Sequence, residues 1–210
     1  MYLFLTNHCA MTCAHCCVSA SPRGNKYMTN EVFQAALKLA EDLGHGIYLG
    51  GGEPTDHPKF FQFIIDMLAS NCEKEDGQSG VITNGTNKKA ALLIANLAKA
   101  GVIWGEMSID TWHDLSLVDN EVLHVFEKNK LTRKTGDKVN KFGRAKRLSK
   151  SSLNERSFCM CSDLWIDYNG DVYTCACKTR KLGNVLSGVN IPEEYFAGEC
   201  EKDQAYNKVD

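Results

Sequence analysis

Tyr2-Leu-Phe-Leu-Thr-Asn-His-Cys9-Ala-Met-Thr-Cys13-Ala-His-Cys16 joins the first strand of this chain to its most reactive chemistry. The apolar run Tyr2-Leu3-Phe4-Leu5 reads as a short buried strand. The loop after it carries three thiols at C-x3-C-x2-C spacing. Three thiolates this close can hold three irons of a [4Fe–4S] cube and leave the fourth iron open, whereas most clusters are closed by four cysteines. Zinc is the competing reading, with His8 or His15 as a fourth ligand. A reactive loop at the C-terminal end of a first strand is where parallel α/β folds place their chemistry.

A second motif follows a second apolar strand. Ile47-Tyr48-Leu49 runs directly into Gly50-Gly51-Gly52-Glu53-Pro54. Glycines let a backbone approach a ligand and present its N–H and C=O groups. Glu53 adds an acceptor suited to an ammonium group, and Pro54 stiffens the exit. Read alone, the same residues make an ordinary strand-to-helix turn.

Taken together, the two motifs resemble the radical S-adenosylmethionine (radical SAM) superfamily: Cys9, Cys13, His15 and Cys16, then Gly51, Gly52, Glu53 and Pro54. The resemblance implies a cluster whose open iron chelates the methionine end of S-adenosylmethionine (SAM). It also implies one-electron cleavage of SAM to a 5′-deoxyadenosyl radical that abstracts hydrogen from a substrate. By position, Gly51, Gly52 and Glu53 would hold the methionine amino group and His15 would lie near the adenine. An electron donor such as flavodoxin or ferredoxin is implied as a partner.

Between and beyond the motifs, strands alternate with helices, which implies a parallel sheet with right-handed crossovers. Thr29 reads as the cap of a helix through Phe33, Ala36 and Leu37, stopped at Gly44. Further helices are expected through Phe60 to Leu68, through Leu92 to Ala98 with Gly101 as stop, and from Leu115 to Glu127. Strands are expected at Gly80 to Thr83, ahead of Asn84-Gly85, and at Val102 to Met107, leading to Ser108-Ile109-Asp110. In the radical SAM family these two strand ends approach the cofactor. Asn84 is therefore expected at SAM or substrate, and Ser108 and Asp110 at its ribose or methionine; each can equally serve its own loop backbone. Val139 to Ala145 reads as the last strand, ending in Gly143-Arg144-Ala145. That leaves fewer βα units than the six of a complete family barrel, so an abbreviated, open parallel (β/α) partial barrel is expected over residues 1–150.

Residues 151–210 carry a second cysteine constellation: Cys159, Cys161, Cys175 and Cys177. Asn169-Gly170 between runs rich in Trp, Ile, Val and Tyr signals a hairpin with a type I′ turn. The hairpin would bring the two cysteine pairs together, to hold a second [4Fe–4S] cluster or a zinc. The spacing Cys159-x10-Gly170-x4-Cys175 resembles the SPASM/twitch extension of radical SAM enzymes, which implies one auxiliary cluster in the shorter twitch form. Cys17, Cys72 and Cys200 are left over.

Composition suits a folded cytoplasmic enzyme. The net charge of −2 demands neither nucleic acid nor membrane. The N-terminus has neither a basic n-region nor a long apolar h-region, and no apolar run is long enough for a bilayer. Lys128 to Lys150 holds ten of the 24 basic residues and one acid, a net +9, leaving −11 for the rest. Such a block reads as a solvated loop, or as a site for a nucleotide phosphate, RNA or an acidic peptide. The reading is thus a radical SAM oxidoreductase or modifying enzyme acting on a peptide, protein side chain or small metabolite. The alternatives are action on a nucleotide or RNA, and a non-catalytic Fe–S or zinc scaffold.

Overall fold

The computed structural model describes residues 1–70, 79–154, 163–176, 178 and 180–192. Five parallel strands form its first part: β1 (Tyr2–Phe4), β2 (Tyr48–Gly50), β3 (Gly80–Thr83), β4 (Trp104–Ser108) and β5 (Thr132–Arg133). Helices α1 (Asn30–Asp42), α2 (Phe60–Ala69), α3 (Lys88–Lys99) and α4 (Asn120–Lys128) form the crossovers. A meander follows: β6 (Trp165–Ile166), β7 (Asp171–Tyr173), β8 (Lys181–Asn184) and β9 (Gly188–Val189). The nine strands of the described residues lie in one sheet, ordered β5-β4-β3-β2-β1-β6-β7-β8-β9. The expected partial (β/α) barrel is therefore present and open: the order is linear, with β5 and β9 at its ends.

Alternation along each strand divides the sheet into two faces. Leu3, Leu49, Val81, Met107 and Ile166 are fully buried in one core with Phe33, Phe63, Ile94 and Phe126 of the helices. Phe33 and Phe63 stack at 3.9 Å and lock α1 against α2. The opposite face is aromatic at its lower end: Tyr2 stacks on Trp165 at 4.3 Å and on Tyr48 at 5.1 Å. Thr29, Asn87 and Asp119 cap α1, α3 and α4 through their side chains, and Gly44 and Gly101 end α1 and α3 at φ of +61° and +70°.

Three sequence expectations are corrected. The helix expected from Leu115 is split: Asp114 caps a single 3-10 turn at Leu115–Leu117, Val118 is extended, and Asp119 starts α4 afresh. Val139 to Ala145 is not a strand. The place beside β4 is taken by β5, Val139 makes only an isolated bridge to Leu153, and Gly143–Arg147 is a 3-10 helix entered at φ +49°. The β6–β7 turn is not type I′. Gly170 N–H bonds Asp167 O at 2.8 Å and only Gly170 has positive φ, so a three-residue loop ends in a G1 bulge. Asp167 selects this turn, because its carboxylate accepts from the Asn169 and Asp171 amides.

Candidate functional site

The cysteine loop and the Gly-Gly-Glu turn are built onto each other at the C-terminal ends of β1 and β2. Gly52 N–H donates to Thr6 O and Glu53 N–H to His8 O, both at 2.8 Å. A Cβ on Gly52 would sit 1.9 Å from His8 O, and Gly51 holds φ +123°. These glycines are thus required by the approach of one loop to the other, a closer demand than the expected approach to a ligand.

Cys9, Cys13 and Cys16 line one side of a cavity of about 380 Å3, with Gly51, Gly52 and Glu53 beside them. Asn84, Ser108 and His15 also border it. Burial pushes the Cys9 thiol up to about 12, opposed by a bond from the Met11 amide and reinforced by Glu53, Cys13 and Cys16. Cys13 is raised by burial and then by Cys16. Thiols that discourage one another's ionisation fit a cationic iron centre, which takes them as thiolates. Asn84 Nδ2 donates to Cys9 Sγ at 3.4 Å, the kind of hydrogen bond to sulfur that tunes a cluster's potential.

Glu53 is 1 % exposed and borders the cavity. Its Oε1 accepts from Thr55 N–H (3.2 Å), Thr55 Oγ1 (2.6 Å) and Thr83 Oγ1 (2.7 Å); its Oε2 accepts from Asn84 N–H (2.7 Å). Burial raises its pKa to about 6, and the bonds from Thr55, Thr83 and Asn84 oppose that rise. The carboxylate therefore ties the end of β2 to the end of β3, and through Asn84 to Cys9.

His15 Nδ1 is buried without a hydrogen-bond partner among the described residues, as a ring awaiting a ligand would be. Burial, then His113, lowers the His15 pKa and keeps its imidazole neutral. Asp110 is placed differently from the expectation. It is 7 % exposed and is not among the cavity-lining residues. It accepts from His113 Nδ1 (2.7 Å), Trp112 N–H (3.0 Å) and Thr135 N–H (3.1 Å). Burial works to raise its pKa, but His113 and Thr135 outweigh it and hold the carboxyl well below the usual range. The group that reaches the cavity is His113, with its tautomer set by Asp110. The spacing Asp110-x-x-His113 was the only sequence signal for it.

Arg144 is the other residue that sequence reasoning left without a role. Its Nε donates to Cys13 O at 2.9 Å, its Nη1 to Ala20 O, and its backbone N–H to Cys16 O at 3.0 Å. Gly143 lies on the Cys16 and Cys17 carbonyls, where a Cβ would sit 2.3 Å from both oxygens. Gly143-Arg144 thus clasps the cysteine loop from 131 residues away. Arg144→Ala removes two charge-assisted bonds, worth roughly 1.5–3 kcal/mol each. It should lower iron per chain after reconstitution and weaken SAM binding about tenfold or more. Arg144→Lys should restore little, because a point ammonium does not reproduce the fork. Full iron content and unchanged SAM affinity in Arg144→Ala would refute the clasp.

Of the second constellation, Cys159, Cys161 and Cys177 lie outside the described residues. Cys175 is 3 % exposed, just past β7.

Three thiols thus gather beside one cavity at the C-terminal end of a parallel (β/α) partial barrel. The profile of the Radical SAM superfamily matches residues 3–149, and the chain belongs to that superfamily. Membership implies S-adenosylmethionine and a [4Fe–4S] cluster. No curated protein matches the sequence. Among solved structures, BtrN in complex with AdoMet and 2-DOIA aligns with TM-score 0.63 at 13% identity, over 90% of this chain and 78% of that one. AnSMEcpe with bound AdoMet and the Cp18Cys peptide aligns with TM-score 0.58 at 14% identity, over 98% and 81%. Streptococcus suis SuiB bound to S-adenosylmethionine aligns with TM-score 0.51 at 12% identity, over 87% and 62%. Identities this low speak for the fold alone.

Proposed function

We propose that this protein is a radical SAM enzyme that acts on a peptide, a protein side chain or a small metabolite. The observation that carries the reading is the single cavity shared by Cys9, Cys13, Cys16, Gly51, Gly52 and Glu53. When bound, the cluster and SAM supply reductive cleavage to a 5′-deoxyadenosyl radical that takes a hydrogen atom from substrate. The chain's own residues do the rest. Cys9, Cys13 and Cys16 hold three irons, and Asn84 steadies Cys9. The second Oε2 lone pair of Glu53 and the Gly51-Gly52 backbone take the methionine ammonium. His15 and Ser108 border the space for adenosine, and His113 presents a fixed tautomer there. Asp110 acts through His113 rather than on the ligand.

The reading extends to a twitch-like region over residues 151–210, with Cys159, Cys161, Cys175 and Cys177 holding a second [4Fe–4S] cluster, and to a cytoplasmic setting. Among the described residues no helix is long and apolar enough to cross a membrane. The spacing of the four cysteines and the burial of Cys175 support the second cluster. Iron analysis tests it: wild type should hold about eight irons, and Cys175→Ala with Cys177→Ala about four. SAM binding should survive in that double variant, because the first three thiols sit on other elements. A double variant that keeps all its iron would remove the second cluster from the proposal. Formation of 5′-deoxyadenosine under reduction tests the reaction, and its absence with a verified cluster would favour a scaffold protein.

A further inference from the structure

The cavity beside the cysteines has a floor that the cluster and SAM do not account for. Strand register builds it: Tyr2 of β1 stands level with Tyr48 of β2 on one side and with Trp165 of β6 on the other, so the three share the inner face of the sheet. Tyr2 and Trp165 stack at 4.3 Å, and both border the cavity that holds Cys9, Cys13 and Cys16. The Trp165 Nε1–H is buried and meets no acceptor among the described residues. Buried donors in folded proteins are nearly always paired, so an orphan in a cavity wall marks the place of a ligand's acceptor. Arg133 of β5 borders the same cavity, in register with Ser108 of β4. Among the described residues no carboxylate lies within ion-pair distance of it. Two acids sense the same face without neutralising it. Asp163 is held by the N-terminal amine at 3.4 Å, and Glu106 does not line the cavity. Burial, then Asp163, raises the Tyr2 pKa and the Arg133 charge opposes them, so the guanidinium acts on the floor from across the sheet. Arg144, the other guanidinium on the cavity, is spent on the Cys13 and Ala20 carbonyls.

We propose that this floor is the substrate subsite and that the substrate carries a carboxylate: Arg133 pairs with the carboxylate, the Trp165 N–H donates to an oxygen of the same molecule, and an apolar portion packs against Tyr2 and Trp165. The proposal rests on the radical SAM reading and narrows its substrate class. Arg133 stands level with Ser108, which borders the adenosine space in that reading, so a group held by Arg133 lies beside the nucleoside. A carboxylate fits better than a phosphate. One free guanidinium offers a fork that matches two carboxylate oxygens. Phosphates are held by gathered backbone N–H groups at helix N-termini, by metal ions or by several cations. Here Arg144 is already engaged and Arg133 is the guanidinium left over.

The test is equilibrium dialysis of the full chain, with its cluster reconstituted and SAM in excess, against benzoate and its neutral counterpart benzamide. Benzoate should bind with a Kd of about 1 mM and benzamide about tenfold more weakly or worse. Arg133→Gln should weaken benzoate about tenfold or more and leave benzamide within about twofold. Arg133→Lys should recover only part of the loss, because an ammonium lacks the fork. Trp165→Phe keeps a ring in the floor and deletes the N–H, and should weaken benzoate about threefold to tenfold. Arg133 is exposed, so its variants should melt with wild type, which separates lost binding from lost folding. Equal affinity for benzoate and benzamide, or benzoate binding untouched by Arg133→Gln, would overturn the proposal. Phenyl phosphate held more tightly than benzoate, with the same dependence on Arg133, would overturn the carboxylate assignment in favour of a phosphate. The measurement does not depend on SAM cleavage. Benzoate binding that needs Arg133, in a protein that forms no deoxyadenosine under reduction, would bear out the subsite and count against the radical SAM reading alone.

Discussion

Alanine at Cys9, Cys13 and Cys16 together will abolish SAM cleavage and remove the irons of the first cluster, about four, leaving any iron held by the proposed second site. The expectation follows from where the thiols sit. They line the cavity at the mouth of the sheet, and burial, with the neighbouring thiols, pushes the Cys9 and Cys13 thiols up. Cys9 at 8 % exposure is the only one of the three that counts among the buried core. The triple variant should therefore keep its helical signal and a cooperative unfolding transition while losing all deoxyadenosine formation. Iron per chain and the cluster's low-temperature electron paramagnetic resonance spectrum are the measurements. A triple variant with undiminished iron, or a wild-type protein that takes up zinc alone, would show that these thiols do not carry a cluster.

Glu53→Ala will cost both stability and SAM binding. Its carboxylate accepts four hydrogen bonds in a site 1 % exposed, and removing it leaves Thr55 Oγ1, Thr83 Oγ1 and the Asn84 amide seeking partners. Each orphaned group costs roughly 1–3 kcal/mol, so a total on the order of 3–5 kcal/mol is expected. At this chain length each kcal/mol shifts the melting temperature by about 2–4 °C, so a fall of roughly 6–20 °C should be visible in a thermal scan. Glu53→Gln should be nearly as damaging. Its NH2 must face either the Thr55 amide or the Asn84 amide, and neither backbone donor can turn into an acceptor. Because Asn84 also touches Cys9, both variants should reduce iron retention as well as SAM affinity. A Gln variant as stable as wild type, with only SAM binding reduced, would mean that Glu53 serves the ligand and not the frame.

Local signals carried much of this architecture. The cysteine loop, the Gly-Gly-Glu turn, the strand–helix alternation and the stops at Gly44 and Gly101 are each written in a short stretch of residues, where spacing is informative. Contacts distant in sequence were not readable. Nothing in Trp165-Ile166 says that it lies parallel to Tyr2-Leu3, since pairing partners leave no mark on periodicity. Thr132–Arg133 is too short to show any alternation, so Val139 to Ala145, with its apolar Val139 and Phe142, drew the strand assignment instead. Glu53 displayed its charge but not its four donors, and Asp110 its carboxylate but not that His113 would stand between it and the cavity. Asn169-Gly170 was a sound turn signal whose type was decided by Asp167, two residues upstream.

The sheet order sets a timetable for synthesis. β1 pairs with β2 on one side and with β6 on the other, so the strand that leads into the cysteine loop waits for a neighbour encoded far downstream. At roughly 5–20 residues per second, the stretch from Gly50 to Ile166 takes on the order of ten seconds to leave the ribosome. During that interval β1 offers an unpaired edge, a template for association with other nascent chains. The clasp at Arg144 emerges late in the same interval. A cluster inserted before then would meet a cysteine loop with neither its clasp nor the second neighbour of its strand, which makes late, post-translational loading the productive order of assembly.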